Sequence, residues 1–368
     1  MLGRFWQKAR IGLFIVLWTF TALTAPVSVS AAPYAAIVMD ARTGEILHSR
    51  NADTRLHPAS LTKMMTLYIA FQAIERGEIT LDTPVKITSE AANEPPSKLG
   101  LRVGQEIRLR YLIRAAAVKS ANDAATAIGI ALEGSEAAFA RRMNRTAAAM
   151  GMTRTTFRNA NGLTETGHLS TANDMSILGR HLIYDFPQYY NLFSRRSADA
   201  GIAQVNNTNR RFLDAYRGAD GIKTGYTRAA GYNLVASAER GSERIIATVF
   251  GGSSTADRNA KVSELLDMGF ARAQPNVKIV MPSMGAMPAD NTVVVASASE
   301  STQGTAGKTI RVTGLVTTSL RPAARPTAAS APLQVAEADT IAEALEMAIA
   351  GAEAFEEAGP SAEAAEAD

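Results

Sequence analysis

None of the 368 residues is cysteine, which excludes disulfide frameworks, iron–sulfur clusters, cysteine nucleophiles and thiolate zinc sites. Histidine is nearly as scarce. His48, His57, His168 and His181 form no His-x-x-x-His pair, so the chain lacks the ligands of a metal-dependent peptidase and no metal site is expected. His168 reads as a hydrogen-bonded structural residue. No basic residue follows Arg325, whereas ten carboxylates do, which leaves residues 1–325 with 38 basic and 25 acidic side chains. That excess suits an anionic polymer or surface, but the basic residues are scattered and no aromatic-rich nucleic-acid signature appears, so nucleic acid is not the expected partner. No internal repeat is present. With 46% apolar and 20% charged residues, the chain has the composition of a globular protein with a sizeable core.

The beginning of the chain points to export. Arg4, Lys8 and Arg10 precede an apolar run, Ile11–Leu23, and then come Pro26 and the small residues Ser28 to Ala32. That is the layout of a secretory signal peptide with cleavage near Ala31 or Ala32, and the run is short of the ~18–20 residues of a spanning helix. Residues 1–32 are therefore read as a signal peptide and the protein as periplasmic or otherwise in the cell envelope.

Residues 33–273 read as one α+β domain. Ala36–Asp40 and Glu45–His48 flank a glycine turn, and Tyr232–Arg240 and Glu243–Phe250 alternate apolar and polar residues around Gly241-Ser242, so hairpins are expected at both ends. Between them lie helical patterns over 58–76, 109–132 and 136–150, with a Pro- and Gly-containing loop over 88–105. This order predicts an antiparallel sheet assembled from both ends of the domain, with helices packed on it and a helical insert. Beyond Pro275, three β-branched stretches (Lys278–Met281, Thr292–Val295, Thr309–Val312) predict a small β-rich module within 274–321. Residues 322–368 read as a linker and an acidic, alanine-rich tail. Anionic lipid repels such a tail, so membrane attachment through it is not expected.

Three short groups carry chemistry. In Ser60-Leu61-Thr62-Lys63 a hydroxyl at a helix start has an amine three residues on along the same face, which suits a nucleophile and its base. Ser120-Ala121-Asn122 interrupts an apolar helical run with a hydroxyl and an amide that could relay a proton and hold a substrate amide. Lys223-Thr224-Gly225 precedes the clear hairpin, where a glycine-flanked strand edge lets a peptide approach while lysine and threonine offer donors to a carboxylate. A Ser-x-x-Lys match is expected about once by chance in such a chain, but Lys-Thr-Gly only about 0.1 times, and the three in this order are specific jointly.

Together with Asn122-Asp123-Ala124-Ala125, Asn161-Gly162-Leu163, Gly167-His168-Leu169-Ser170 and Ala230-Gly231-Tyr232-Asn233, these groups make residues 33–273 resemble the penicillin-recognising serine D,D-peptidases and β-lactamases. The chain is most similar to low-molecular-weight D-alanyl-D-alanine carboxypeptidases. The resemblance implies Ser60 as nucleophile, Lys63 as its base, Ser120 as proton relay and Asn122 as the residue orienting the substrate amide. It places Lys223, Thr224, Gly225 and Tyr226 along the substrate, with the N–H groups of Ser60 and Tyr226 as an oxyanion hole. Arg258 is the candidate for the substrate's terminal carboxylate and Arg210 a weaker one. The implied substrates are peptidoglycan stem peptides ending in D-Ala-D-Ala, with β-lactams as covalent inhibitors and no cofactor. A D,D-endopeptidase with the same site, or a non-catalytic peptidoglycan-binding scaffold, is the alternative. Two departures stand out: many of these carboxypeptidases carry histidine where this chain has Tyr226, and the Glu-x-x-Leu-Asn sequence with which class A β-lactamases deacylate is missing between Asn122 and Lys223.

Overall fold

The computed structural model describes residues 33–289. Among them, strands β1 (Ala35–Asp40) and β2 (Ile46–Arg50) form the first hairpin, and β7 (Ala219–Thr227), β8 (Gly231–Arg240) and β9 (Glu243–Gly252) the last three strands of a five-stranded sheet ordered β2-β1-β9-β8-β7. Every pairing is antiparallel, and β1 lies against β9, so the two ends of the domain meet in the middle of the sheet as expected. Two small hairpins, β3 (Pro84–Lys86) with β4 (Glu106–Arg108) and β5 (Ser197–Asp199) with β6 (Gln204–Asn206), sit in the intervening segment.

Successive residues of a strand face opposite sides, and here both sides are covered. Ala36 and Val38 of β1, Leu234 and Ala236 of β8 and Ile245, Ala247 and Val249 of β9 pack with Val262, Leu265 and Leu266 of the helix Thr255–Arg272. Their alternates Ile37, Val235, Ile246 and Phe250 join the larger core built with the helices Lys63–Glu75, Asn122–Glu133, Glu136–Ala149 and Ala172–Asp185. Coverage on both faces leaves the middles of β8 and β9 buried without a break, rather than at every second residue as the expected alternation implies.

Two sequence expectations are corrected. The helical pattern over 109–132 breaks in three: a helix Leu109–Arg114, a π-helical turn Ala115–Lys119, and a new helix from Asn122. Ser120 lies at the break in the left-handed region (φ 65°, ψ 31°). Lys278–Met281 forms no strand. The Val280 amide instead donates to Arg42 O (2.8 Å), Arg180 donates to Val280 O and the Gly285 amide to Ala149 O (2.7 Å), which ties this segment along the domain surface. The expected signal peptide, the other two β-branched stretches and the acidic tail lie outside the described residues.

Candidate active site

Ser60 stands in a tight turn, Ala59–Thr62, that opens the helix Lys63–Glu75. Ala59 is held at φ 49°, a left-handed conformation worth roughly 1–2 kcal/mol of strain for a residue with a Cβ. The surroundings enforce it. Asn233 of β8 donates to His57 O (3.0 Å) and Pro58 O (3.3 Å), while its Oδ1 accepts from the Gly251 amide, so the sheet grips the segment just before the serine. Opposite Asn233 in the register is Gly225. A Cβ there would lie 2.8 Å from Pro58 O and 3.1 Å from Ser60 N, so glycine is required for β7 to run past the serine's amide. Gly162 is tighter still: its φ is +88° and a Cβ would lie 1.9 Å from Ala59 O. This close approach presses the loop holding Asn161 against the turn.

The amine of Lys63 has three neighbours: Asn161 O at 2.6 Å, Asn122 Oδ1 at 2.7 Å and Ser60 Oγ at 3.0 Å. Asn122 is fixed in this orientation because its Nδ2 donates to Pro95 O (2.9 Å), an oxygen that can only accept. Two of the three neighbours are therefore pure acceptors. A neutral amine has two N–H bonds and one lone pair, so with both N–H groups given to Asn122 and Asn161 the lone pair faces the hydroxyl of Ser60. Lys63 is completely buried, and burial together with the charge of Lys223 holds its ammonium form well below the usual lysine range; Glu94 and Asp123 oppose the effect. Lys223, also buried, is pulled down to about 7 by burial and by Arg258. Burial thus favours the neutral form of both amines, and any charge on Lys223 favours it further at Lys63.

Ser60, Ser120, Asn122, Thr224, Gly225, Tyr226 and Arg258 line one cleft of about 380 Å³ with Pro96 and Ser97 at its edge. Thr224 Oγ1 lies 2.9 Å from Thr208 Oγ1, and Arg258, 4% exposed, is braced by Asn259 Oδ1 (2.8 Å) and Asn233 O (3.4 Å). Tyr226 is 55% exposed at the mouth, its ring 4.4 Å from that of Tyr232. The structure does not bring Arg210 to this lining. It is exposed at the start of a short helix, Arg210–Ala215, and the lining residue from this stretch is Thr208. His168 is a structural residue as expected: Nε2 meets Thr62 Oγ1 (2.9 Å), and burial lowers it to about 4, so it stays neutral.

A family model described as D-alanyl-D-alanine carboxypeptidase matches residues 21–254. The chain belongs to this family. DacF of Bacillus subtilis is 38% identical over 242 residues, which cover 64% of this chain and 62% of the relative. DacA of Escherichia coli is 38% identical over 241 residues, covering 64% and 60%. The matches thus span about three fifths of these carboxypeptidases. Among solved structures, DacD of Francisella tularensis superposes with a TM-score of 0.62 at 33% identity, over 67% of this chain and 72% of that one. A penicillin-binding protein of Listeria monocytogenes in an ampicillin-bound form gives 0.59 at 32% identity, over 67% and 100%. The fold is that of the D,D-peptidases.

Asn161 and Thr208 were not assigned roles from sequence. Asn161 contributes a main-chain carbonyl, which any residue carries; the signal available was the Asn-Gly pair in the motif Asn161-Gly162-Leu163, where glycine permits the close approach. Arg258 yields a test. Arg258→Ala is expected to lower kcat/KM for carboxylate-terminated peptides about 100-fold, in line with the loss of one partner from a charged pair, while slowing acylation by an uncharged ester analogue less than threefold. Equal losses on both substrates would refute a carboxylate-binding role.

Proposed function

We propose that the chain is a serine D-alanyl-D-alanine carboxypeptidase that removes the terminal D-alanine from peptidoglycan stem pentapeptides, working outside the cytoplasmic membrane. One observation carries the reading: the buried Lys63 Nζ stands 3.0 Å from Ser60 Oγ and 2.7 and 2.6 Å from the acceptors Asn122 Oδ1 and Asn161 O, so that in its neutral form it gives both N–H groups to these acceptors and turns its lone pair to the hydroxyl.

The reaction follows from that geometry. Lys63 takes the Ser60 proton as Oγ attacks the carbonyl carbon between the two D-alanines. The developing oxyanion is held by the amides of Ser60 and Tyr226, each worth about 3–4 kcal/mol in comparable sites. Ser120, on the same cleft wall, passes a proton to the departing amine of D-alanine, and the C–N bond breaks to leave an ester on Ser60. Water then attacks the carbonyl carbon of that ester, the bond to Ser60 Oγ breaks, a proton from the water returns to Oγ, and the peptide shortened by one D-alanine leaves with a free carboxyl group. Lys223 and Arg258 supply positive charge for the terminal carboxylate. A bound carboxylate also stabilises the Lys223 ammonium, and a charged Lys223 keeps Lys63 neutral, so substrate arrival readies the base. β-Lactams acylate Ser60 by the same attack and leave slowly.

Release of free D-alanine from a pentapeptide, measured beside cleavage of cross-linked dimers, tests the proposal. Rapid release from the pentapeptide with at least tenfold slower dimer cleavage is expected. Faster dimer cleavage would make the chain an endopeptidase, and neither reaction would leave a binding protein.

A further inference from the structure

A second group of polar side chains, Asn161 and Thr126 buried and Glu94 and Glu136 half-buried, lies behind the lysine and takes no part in the reaction as described. Glu94 ends the loop that runs into Pro95 and Pro96 at the cleft edge. Its Oε1 accepts from Thr126 Oγ1 (2.8 Å) and from Asn161 Nδ2 (2.9 Å). Asn161 Nδ2 also reaches Thr126 Oγ1 (3.0 Å), and Asn161 Oδ1 accepts from the Leu163 amide (2.9 Å). The side chain of Asn161 is thus fixed at both ends, and its main-chain oxygen is the acceptor that Lys63 touches most closely. On the far side stands Glu136, whose Oε1 accepts from the Ala160 amide (3.1 Å) and lies 3.4 Å from Thr126 Oγ1.

We propose that Glu94 is a positioning residue for the acylation base: through Asn161 it fixes the carbonyl that aims the Lys63 amine at Ser60. The inference rests on the acyl-transfer reading above. It deepens that reading by naming a residue that touches neither substrate nor Ser60.

The charges around the pair set the direction of the effect. Facing Lys63 are Lys223 from β7, which favours the neutral amine, and Glu94 and Asp123, which favour the ammonium. Burial raises Glu94 most; facing it are the Thr126 hydroxyl and Lys63, which favour its carboxylate, and Glu90, Asp123 and Glu136, which oppose it. Asp123 is committed to three loop amides, those of Leu99, Gly100 and Leu101. Glu94, by contrast, is joined to Lys63 through a single residue. Removing its charge while keeping its shape therefore makes Lys63 easier to deprotonate. A glutamine fits this requirement, because its carbonyl oxygen can accept from Thr126 and Asn161 as Glu94 Oε1 does.

The test uses the full chain, a fluorescent penicillin and its second-order acylation rate from pH 4.5 to 9, with melting temperatures for every variant. Glu94→Gln should keep the melting temperature and the maximal rate within threefold, and move the acid limb of the profile to lower pH by about 0.5–1 unit. Glu94→Ala should lower the rate at pH 7 about tenfold while the protein remains folded, since Asn161 loses its anchor. A Glu94→Gln profile superimposable on the wild type would overturn the inference, as would a Glu94→Ala protein that is folded and fully active. In either case the wild type still acylates and the acyl-transfer reading stands. A wild type that takes up no label instead removes that reading and this inference with it.

Discussion

Ser60→Ala is expected to abolish D-alanine release, with a loss on the order of 10⁶-fold in kcat, while the protein keeps its fold and melting temperature. The size follows from chemistry. Among the described residues no other hydroxyl is hydrogen-bonded to Lys63 Nζ, so the variant has no nucleophile for the base to activate. The oxyanion donors and the cleft remain, and through them a water reaction about 10³-fold above background can persist. Ser60 is half-buried and its Oγ contacts only Lys63 in the described hydrogen-bond pattern, so its removal leaves no orphaned buried acceptor. A coupled D-alanine assay with a thermal melt checks both halves. A Ser60→Ala protein retaining more than about 1% of wild-type turnover would place the nucleophile elsewhere.

The second large effect concerns the lysines, and it has opposite signs in activity and stability. Lys63→Met should lower acylation about 10⁴-fold, because serine alone is a weak nucleophile at neutral pH. Lys223→Met should also slow acylation strongly, yet it should stabilise the protein. Lys223 drops from 10.5 to about 7 on burial, so at or below pH 7 the unfolded chain holds a proton that the fold binds weakly. That displacement corresponds to about 5 kcal/mol against folding, present in full below pH 7 and vanishing as pH rises towards 10.5. Wild-type stability should accordingly rise from pH 7 to 9, and Lys223→Met should flatten that rise and increase stability at pH 7 by a few kcal/mol. Denaturant unfolding at pH 6, 7.5 and 9 reads this directly. A Lys223→Met protein less stable than wild type at pH 6 would mean the amine is not held against its charge.

Much of this was legible in the sequence, for identifiable reasons. The terminal hairpins announced themselves by alternation and turn residues. The three short groups could be found because a hydroxyl, an amide and a strand lysine are side-chain identities, which sequence records. What it did not record were backbone events. Ala115 to Val118 read as continuous helix because alanine favours it, yet two tertiary bonds break the helix there, from the Thr208 amide to Val118 O and from the Asn122 amide to Ser97 O, while the Ala121 amide closes a wide local turn to Ala115 O. These bonds turn Ser120 out of a helix and into the cleft wall. The acceptor that aims Lys63 is likewise a main-chain oxygen. Arg210 has the charge that a carboxylate partner needs, but the turn before its helix directs Thr208, two residues earlier, to Thr224. Lys278–Met281 has strand-like residues, yet Val280 bonds to the Arg42 carbonyl and no strand of the described residues pairs with it.

The most direct measurement is the mass of the full-length protein, followed by peptide mapping, after brief incubation with benzylpenicillin at pH 7.5. The account predicts addition of a single penicilloyl group, found on the peptide that contains Ser60 and stable for minutes. An unmodified protein, or an adduct on any other residue, would contradict it.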